Sequence, residues 1–254
     1  MCARIRWSSV RYAAHLSAAI GSLSAFAIAG GPTVDLDLDP AAYPVVPTQE
    51  FDVDLIALTA SPPPVEIATV DAILTWDPLY FDLLSVSTSP GLWLASGFFP
   101  DPDGINASLT DGNALFVALA PPGDLAVVPP DLSCATFRFR ARTELGFSTI
   151  QLISQSGSFA RTRVLGAGIQ NDITGDISGA QTTVRVWPIL LGDMNCDGFI
   201  TVGDISPFVL ALVDPDAYIA SFPFCNILNG DTNEDLFVTV GDIATFVGLI
   251  VGGG

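Results

Sequence analysis

Residues 192–205 read GDMNCDGFITVGDI, and residues 230–243 read GDTNEDLFVTVGDI. Each copy is an acidic, turn-rich stretch that runs directly into an apolar segment, ISPFVLALV in the first case and IATFVGLIV in the second. The large apolar residues of both segments recur at helical intervals. The duplication therefore predicts two loop–helix units that form a small α domain at the end of the chain.

The oxygen-bearing residues of both copies match the EF-hand calcium loop, which supplies ligands from positions 1, 3, 5, 7, 9 and 12. Carboxylates that face one point repel each other unless a cation lies between them. The sequence therefore predicts two Ca²⁺ ions, and zinc, copper and magnesium suit this oxygen set less well. The predicted ligands are Asp193, Asn195, Asp197, the Phe199 carbonyl, Thr201 and Asp204 for the first ion, and Asp231, Asn233, Asp235, the Phe237 carbonyl, Thr239 and Asp242 for the second.

The two loops differ at position 6, where a sharp turn favours glycine. The first loop has Gly198 at this position and the second has Leu236. If the turn needs a positive φ there, leucine costs about 1–2 kcal/mol. The second calcium site is therefore expected to be the weaker one.

Residues 192–254 resemble a type I dockerin domain, the small calcium-loaded module of cellulosome components. The two loop motifs carry the resemblance, including the Asp at position 12. It implies two antiparallel loop–helix units with near-twofold symmetry, which bind a cohesin partner through the helices. In this family positions 10 and 11 contribute to partner choice, and here they hold Val202-Gly203 and Val240-Gly241 rather than the hydroxyl residues often seen.

Residues 30–187 have the pattern of a β domain. Short apolar runs alternate with Pro, Gly and Asp, and they predict about nine strands at a spacing typical of a sandwich or jelly roll. The runs VDLDLD (34–39), FDVDLIAL (51–58) and VDAILTWDPLYFDLLSV (70–86) are similar to the opening strands of cohesin domains. The predicted fold is therefore mainly β, a cohesin-like sandwich with the two-repeat α domain over residues 188–254.

The first 29 residues have the features of a signal peptide. Three arginines precede an apolar stretch that ends in Ala27-Ile28-Ala29, and this stretch is shorter than the roughly 20 residues of a membrane-spanning helix. The alternative is a buried N-terminal helix. Export predicts a secreted or extracellular location, including the cell surface, and it would remove His15, the single histidine.

Composition restricts the chemistry of the exported chain. There is no lysine, so without His15 neither a Ser-His-Asp triad, a Cys-His pair, a lysine Schiff base nor a histidine-bound zinc can form. The net charge of −18 repels phosphate backbones and anionic lipids, which makes nucleic acid a poor partner. We therefore predict that the protein is not an enzyme.

The cysteines fit an oxidising compartment. Cys196 and Cys225 flank the first helical segment of the repeat region, and we predict a disulfide bond between them. Cys134 lies in a strand-like run and is expected to be a buried small hydrophobic residue.

The predicted function is calcium-dependent docking of a secreted, modular protein onto a cohesin-like or dockerin-like module, in the context of polysaccharide breakdown. An alternative is a carbohydrate-binding module with a docking tail, in which Trp76 and Trp93 contribute to an aromatic sugar platform. If the two modules of one chain were complementary to each other, head-to-tail contacts would give open chains. A hydrolase is the third reading, although no carboxylate pair stands out in the sequence.

Overall fold

The computed structural model describes residues 33–59, 64–167 and 171–252, and the predicted signal peptide lies outside these ranges. Within them the chain is mainly β with a small C-terminal helical part, as the sequence predicts. The strands are β1 (Asp35–Asp39), β2 (Ala42–Val45), β3 (Glu50–Leu58), β4 (Val65–Thr75), β5 (Phe81–Ser87), β6 (Ala95–Phe98), β7 (Asn113–Leu119), β8 (Ala126–Val128), β9 (Asp131–Ala141), β10 (Gly146–Ile153), β11 (Gln155–Ser156), β12 (Ala160–Arg161), β13 (Arg163–Gly166) and β14 (Gln181–Val186); the helices are α1 (Ile205–Val213), α2 (Pro215–Ser221) and α3 (Ile243–Gly252).

The strands of the described residues form two large sheets, and β11 and β12 pair with each other as a separate two-stranded sheet. The smaller sheet has the order β1-β3-β9-β5, and the larger one has the order β2-β14-β10-β4-β7-β6, with β8 and β13 also paired to β4. The period-two pattern decides which side chains face inward: in β1 the leucines at 36 and 38 are buried, whereas the three aspartates that alternate with them are half-buried on the outer face. Sheets with one apolar face bury it against each other, which gives a sandwich.

The core between the sheets is rich in aromatic rings. Phe51 of β3 stacks on Phe139 of β9 with centroids 5.9 Å apart, and Trp76 packs edge-on against Phe139 at 5.5 Å. Phe116 of β7 meets Phe137 of β9 at 5.4 Å, which joins the two sheets. Full burial of each such side chain stabilises the fold by roughly 1.5–3 kcal/mol.

The strand count differs from the predicted nine, because the described residues contain fourteen strands. Strands β2, β6, β8 and β11 have two to four residues and are too short to show a period in the sequence. Strands β12 and β13 follow each other directly along the chain and are interrupted only at Thr162. The Thr162 hydroxyl donates to the Ile153 carbonyl at 2.5 Å and accepts from the Ile73 amide at 2.9 Å, so it bonds to neighbouring backbone at the break between the strands.

A small hairpin, β11–β12, covers part of the outer face of the larger sheet. Ile73, Ile105, Leu115 and Ala160 form a separate apolar cluster beneath it. The carboxylate of Asp103 accepts hydrogen bonds from the amides of residues 158, 159 and 160 at 2.7–2.9 Å. These backbone donors lower the pKa of Asp103 below its ordinary value.

The helical module has its own small core. The rings of Phe208 on α1 and Phe246 on α3 stack 3.9 Å apart, and the Tyr218 hydroxyl on α2 donates to the Met194 carbonyl at 2.9 Å. Helix α2 has no counterpart in the sequence prediction. Its start is set by Asp214, whose side chain caps the Ala217 amide at 3.0 Å, with proline in the first turn, where its missing N–H does no harm.

Candidate functional site

The two acidic loops, residues 193–204 and 231–242, have closely similar backbones. In the first loop φ is 57° at Cys196 and 88° at Gly198, and in the second it is 60° at Glu234 and 74° at Leu236. These are positions 4 and 6 of the twelve-residue pattern in both loops. The chain therefore makes the same turn twice, and the second time it does so without a glycine.

The first residue of each loop is a buried aspartate whose carboxylate accepts hydrogen bonds from backbone amides of the turn. Asp193 accepts hydrogen bonds from the amides of Asp197 at 3.2 Å and Gly198 at 3.0 Å. Asp231 accepts from the corresponding amides at positions 5 and 6, both at 2.9 Å. Side-chain acceptors for successive amides hold the loop in a compact ring.

The last residue of each loop is an aspartate that is fully buried. The Asp204 carboxylate accepts from the amides of Met194 at 2.8 Å, Asn195 at 3.0 Å and Thr201 at 2.8 Å. Asp242 accepts from the amides of residues 233 and 239 at 3.0 and 2.8 Å. Because Asp204 and Asp242 also end the short 3₁₀ turns that lead into α1 and α3, each one connects its loop to the start of its helix.

The remaining predicted ligands lie closer to solvent. Asn195 and Asp197 are joined by a side-chain hydrogen bond of 3.0 Å, and the equivalent pair in the second loop is joined at 2.9 Å. The Thr201 and Thr239 hydroxyls each accept from the amide two residues later at 3.1 Å, as helix caps do. The Phe199 and Phe237 side chains are exposed, so only their carbonyls could face the loop centre.

The donor set of each loop suits a hard cation. It contains only carboxylate, amide, hydroxyl and carbonyl oxygens, which are calcium ligands. Burial raises the pKa of Asp193, and the charges of Asp204 and Asp197 raise it further, while hydrogen bonds from the Gly198 and Asp197 amides act in the opposite direction. Within the described part of the chain, no three His, Cys, Asp or Glu side chains are arranged as a preformed metal-binding group. The fit to calcium therefore rests on the donor chemistry and on the repulsion among these carboxylates.

A disulfide bond lies beside the first loop. Cys196 and Cys225 are joined at 2.07 Å, with their Cα atoms 5.6 Å apart. The Asn229 side chain donates to the Asp193 carbonyl at 2.7 Å and provides a second connection between the loop and the segment before the second repeat. Cys134 is free and buried in the sandwich, and burial raises the pKa of its thiol to about 12.

Substitutions at position 6 of the two loops test the difference between the two turns. Leu236→Gly is expected to stabilise the helical module by about 0.5–1 kcal/mol, because it relieves the positive φ and removes a side chain that is 75% exposed. Gly198→Ala is expected to destabilise it by about 1 kcal/mol, since the new Cβ meets no atom within 4 Å and only the backbone is strained. Denaturant unfolding of the module gives both values, and shifts of the same sign for the two variants would contradict the account.

Helices α1 and α3, together with the loop residues just before them, expose an uncharged apolar surface, which we call the apolar stripe. Its members are large apolar residues that are 44–80% exposed and occur in pairs of like position in the two repeats: Phe199 and Phe237, Val202 and Val240, Ile205 and Ile243, Val209 and Val247, Val213 and Val251. Exposure matches within pairs, for example 49% for Val209 and 50% for Val247. Since Val209 and Val247 each follow one of the stacked rings, the two rows flank the contact between α1 and α3.

Two of the four predicted recognition residues, the valines at position 10 of each loop, belong to this stripe. Val202 and Val240 are among its most exposed members, and Gly203 and Gly241 donate their amides to the preceding threonine hydroxyls. The dockerin resemblance implies binding through the helices, but the individual residues predicted for recognition are only those at positions 10 and 11 of each loop. The exposed residues at 205, 209 and 213, which are spaced by four, continue this surface along α1.

A contact between sandwich and helical module was also absent from the sequence prediction. The Arg185 guanidinium of β14 lies over the rings of Phe147 at 5.9 Å and Trp187 at 5.1 Å, and it donates to the Phe224 carbonyl at 3.2 Å. Phe147 and Phe224 meet edge-to-face at 5.4 Å. Cation–π contacts of this kind are worth about 0.5–2 kcal/mol each. No pattern in the sequence marks this contact, because it joins residues that are distant along the chain.

The proposed aromatic sugar platform is not formed by Trp76 and Trp93. Both rings are buried in the sandwich core, and the Trp93 indole N–H donates to the Cys134 carbonyl at 2.9 Å. Stacking on a sugar requires an exposed ring face, so this prediction is wrong for these two residues. The apolar surface of tryptophan favours burial wherever a core is available.

No family model matches the chain, and no curated protein matches it. Among solved structures, one chain of a type I cohesin–dockerin complex from Clostridium thermocellum is 12% identical with a TM-score of 0.45, over 61% of this chain and 99% of that one. The seventh ScaB type I cohesin from Pseudobacteroides cellulosolvens is 12% identical with a TM-score of 0.45, over 61% and 92%. A type III cohesin module of the ScaE scaffoldin of Ruminococcus flavefaciens is 11% identical with a TM-score of 0.46, over 62% and 89%.

Helix length bears on membrane insertion. Among the described residues, no helix is both long enough and apolar enough to cross a membrane.

Proposed function

We propose that this chain is a secreted, non-catalytic modular protein that docks onto another protein module in a calcium-dependent manner. The observation that carries the proposal is an arrangement of loop and helix that occurs in both repeats. A loop with calcium-type oxygen donors ends at a buried aspartate, and an exposed, uncharged helix face begins directly after it. An ion in the loop would therefore act on the orientation of the surface that meets the partner.

The residues that would hold the ions are the loop aspartates and asparagines, together with the carbonyls at position 7 and Thr201 and Thr239 at position 9. Bound calcium supplies positive charge that offsets the repulsion among the carboxylates. Asp204 and Asp242 hold the start of each helix through their hydrogen bonds to backbone amides. Ordering a loop would then fix its helix, and calcium binding would be coupled to folding of the module.

The partner that we propose is a cohesin-like module, on the strength of the dockerin resemblance of the two loops. The stripe presents valine, isoleucine and phenylalanine rather than hydroxyl residues, so the matching surface of the partner is expected to be apolar. The sandwich would serve as a second interaction module, for which a dockerin-like partner is the corresponding proposal. Because Trp76 and Trp93 are buried, they lend no support to the alternative of a sugar-binding sandwich.

A calcium titration followed by tryptophan fluorescence tests the metal dependence. Trp187 is 43% exposed at the contact between the modules, whereas Trp76 and Trp93 lie in the sandwich core. We expect the emission to change on adding calcium to EGTA-treated protein, with two ions bound per chain by equilibrium dialysis. Trp187→Phe should bind the same two ions without the optical change. A helical module that is equally protected from hydrogen exchange in EGTA and in calcium would contradict the proposal.

A binding assay tests the surface. The chain should retain cohesin-like modules from a panel in calcium and release them in EGTA. Val209→Arg/Val247→Arg should lose this binding, because a charge would be buried against an apolar partner. Val127→Arg is a matched control, since Val127 is 44% exposed on strand β8 of the sandwich. Equal loss of binding in the control and the stripe variant would remove the stripe from the proposal.

A further inference from the structure

The apolar stripe is too large to remain bare in a free chain. Helix α3 has ten residues, of which only Phe246 is buried, so it has little packing of its own. At roughly 80 Å² of apolar area per side chain, ten such residues expose on the order of 800 Å². One partner in a stable interface buries about 800 Å². Monomers rarely expose a contiguous apolar patch above a few hundred Å².

Charge decides which surface of a second chain could cover the stripe. Helices α1 and α3 contain no charged residue, although the chain as a whole carries a net charge of −18. The outer face of the smaller sheet carries rows of aspartates, Asp35, Asp37 and Asp39 on β1 with Asp52 and Asp54 on β3. Burying these carboxylates against an uncharged surface would be costly. Contact between the stripe and this face of a second sandwich, in a head-to-tail arrangement, is therefore disfavoured.

No member of the stripe is charged, so contact between the rows of one copy and those of another buries no charge from the rows themselves. Its two rows match in residue type and exposure, so the surface has approximate twofold symmetry, and a self-complementary surface favours a closed dimer. We propose that, in the absence of another partner, a second copy of this chain occupies the apolar stripe, with α1 and α3 of both copies packed face to face as a four-helix bundle. Such a bundle buries the exposed side of all four helices.

This inference rests on the proposed docking function, because it names an occupant of the same surface. A cohesin-like partner would have to displace the second copy, so the dimer would hold the surface closed until the partner binds. Calcium should favour the dimer, since it would order the loops that position the helices. Added salt should also favour it, because salt screens repulsion between two acidic chains while leaving the apolar contact intact.

Sedimentation equilibrium of the purified chain in calcium tests the dimer. We expect a dimer in the parent chain and in Val127→Arg, and a monomer in Val209→Arg/Val247→Arg, with dimerisation weakened about 100-fold or more by the buried charges. Val209→Glu/Val247→Glu should likewise be monomeric on its own. Mixing the arginine and glutamate variants should restore a dimer, because unlike charges would then meet across the interface.

Each alternative outcome has a defined meaning. A parent chain that remains monomeric at about 100 µM, the concentration range of weak but specific contacts, would overturn the inference. A stripe variant that still dimerises would do the same, and a mixture that stays monomeric would overturn the face-to-face arrangement. If the double variants do not fold, Val213→Arg and Val251→Arg, at the most exposed end of each row, replace them. Calcium-dependent capture of a cohesin-like module by a monomeric parent would leave the docking function intact while the dimer fails.

Discussion

Replacing Asp204 by alanine is expected to unfold the helical module and to leave the sandwich folded. Asp204 is fully buried, and its carboxylate accepts hydrogen bonds from the amides of Met194, Asn195 and Thr201. The Met194 amide is buried and costs about 1–3 kcal/mol without an acceptor, and the part-buried amides of Asn195 and Thr201 add smaller costs, so a loss of about 3 kcal/mol is expected even after some carboxylate repulsion is relieved. A module with so small a core has little more stability than this.

Hydrogen exchange by mass spectrometry measures this effect separately for the two modules. Asp242→Ala should be less damaging than Asp204→Ala, because Asp242 accepts from two amides, those of Asn233 and Thr239. Asp216→Ala is the matched control, since this carboxylate is exposed in the first turn of α2 and should contribute less than 1 kcal/mol. A helical module in Asp204→Ala that keeps its protection in both EGTA and calcium would contradict the role assigned to this residue.

Removing the disulfide bond is expected to destabilise the helical module by about 3.5 kcal/mol, the loop-closure value for the separation of 29 residues between Cys196 and Cys225. Cys196→Ala/Cys225→Ala and reduction of the parent chain should give similar losses in denaturant unfolding. The cross-link lies beside the first loop, where Asn229 and Tyr218 add hydrogen bonds of 2.7 and 2.9 Å. The first repeat should therefore lose more protection than the second.

The free cysteine supplies a control for this experiment. Cys134 lies in the sandwich core, so Cys134→Ala should leave the unfolding midpoint of the helical module unchanged. If removal of Cys196 and Cys225 changed the stability of the module by less than about 1 kcal/mol, the unfolded chain would already be constrained in this segment.

The elements that could be predicted from sequence are those with local signals. Helices α1 and α3 begin where the repeated motif ends, and β1, β3 and β4 show apolar alternation or long apolar runs. Helix α2 could not be predicted because an Asp-Pro pair is compatible with the end of one helix as well as with the start of the next, and Asp214-Pro215 lies at both. Strands of two to four residues carry too little period to be recognised.

The two repeated turns could be located in the sequence for a different reason, whereas calcium binding by their residues stays a prediction. Oxygen donors at fixed spacing are a chemical pattern within twelve residues, and it does not depend on the rest of the fold. The burial of Trp76 and Trp93, by contrast, depends on which strands face each other across the sandwich. The contact of Arg185 with Phe147 and Phe224 depends on how the two modules meet. Such long-range features are not contained in local sequence patterns.

The contact around Arg185 also has a mechanical consequence. A pulling force that acts on a partner-bound helical module can reach the sandwich by two parallel routes. One is the covalent chain that follows β14, and the other is the Arg185–Phe147–Phe224 contact, which connects to the cross-linked first loop through Cys225. As long as both routes hold, tension is shared between them and the two modules move together under load. Once the Arg185 guanidinium no longer contacts the rings of Phe147 and Trp187, residues 187–191 would bear the whole force and behave as a short tether.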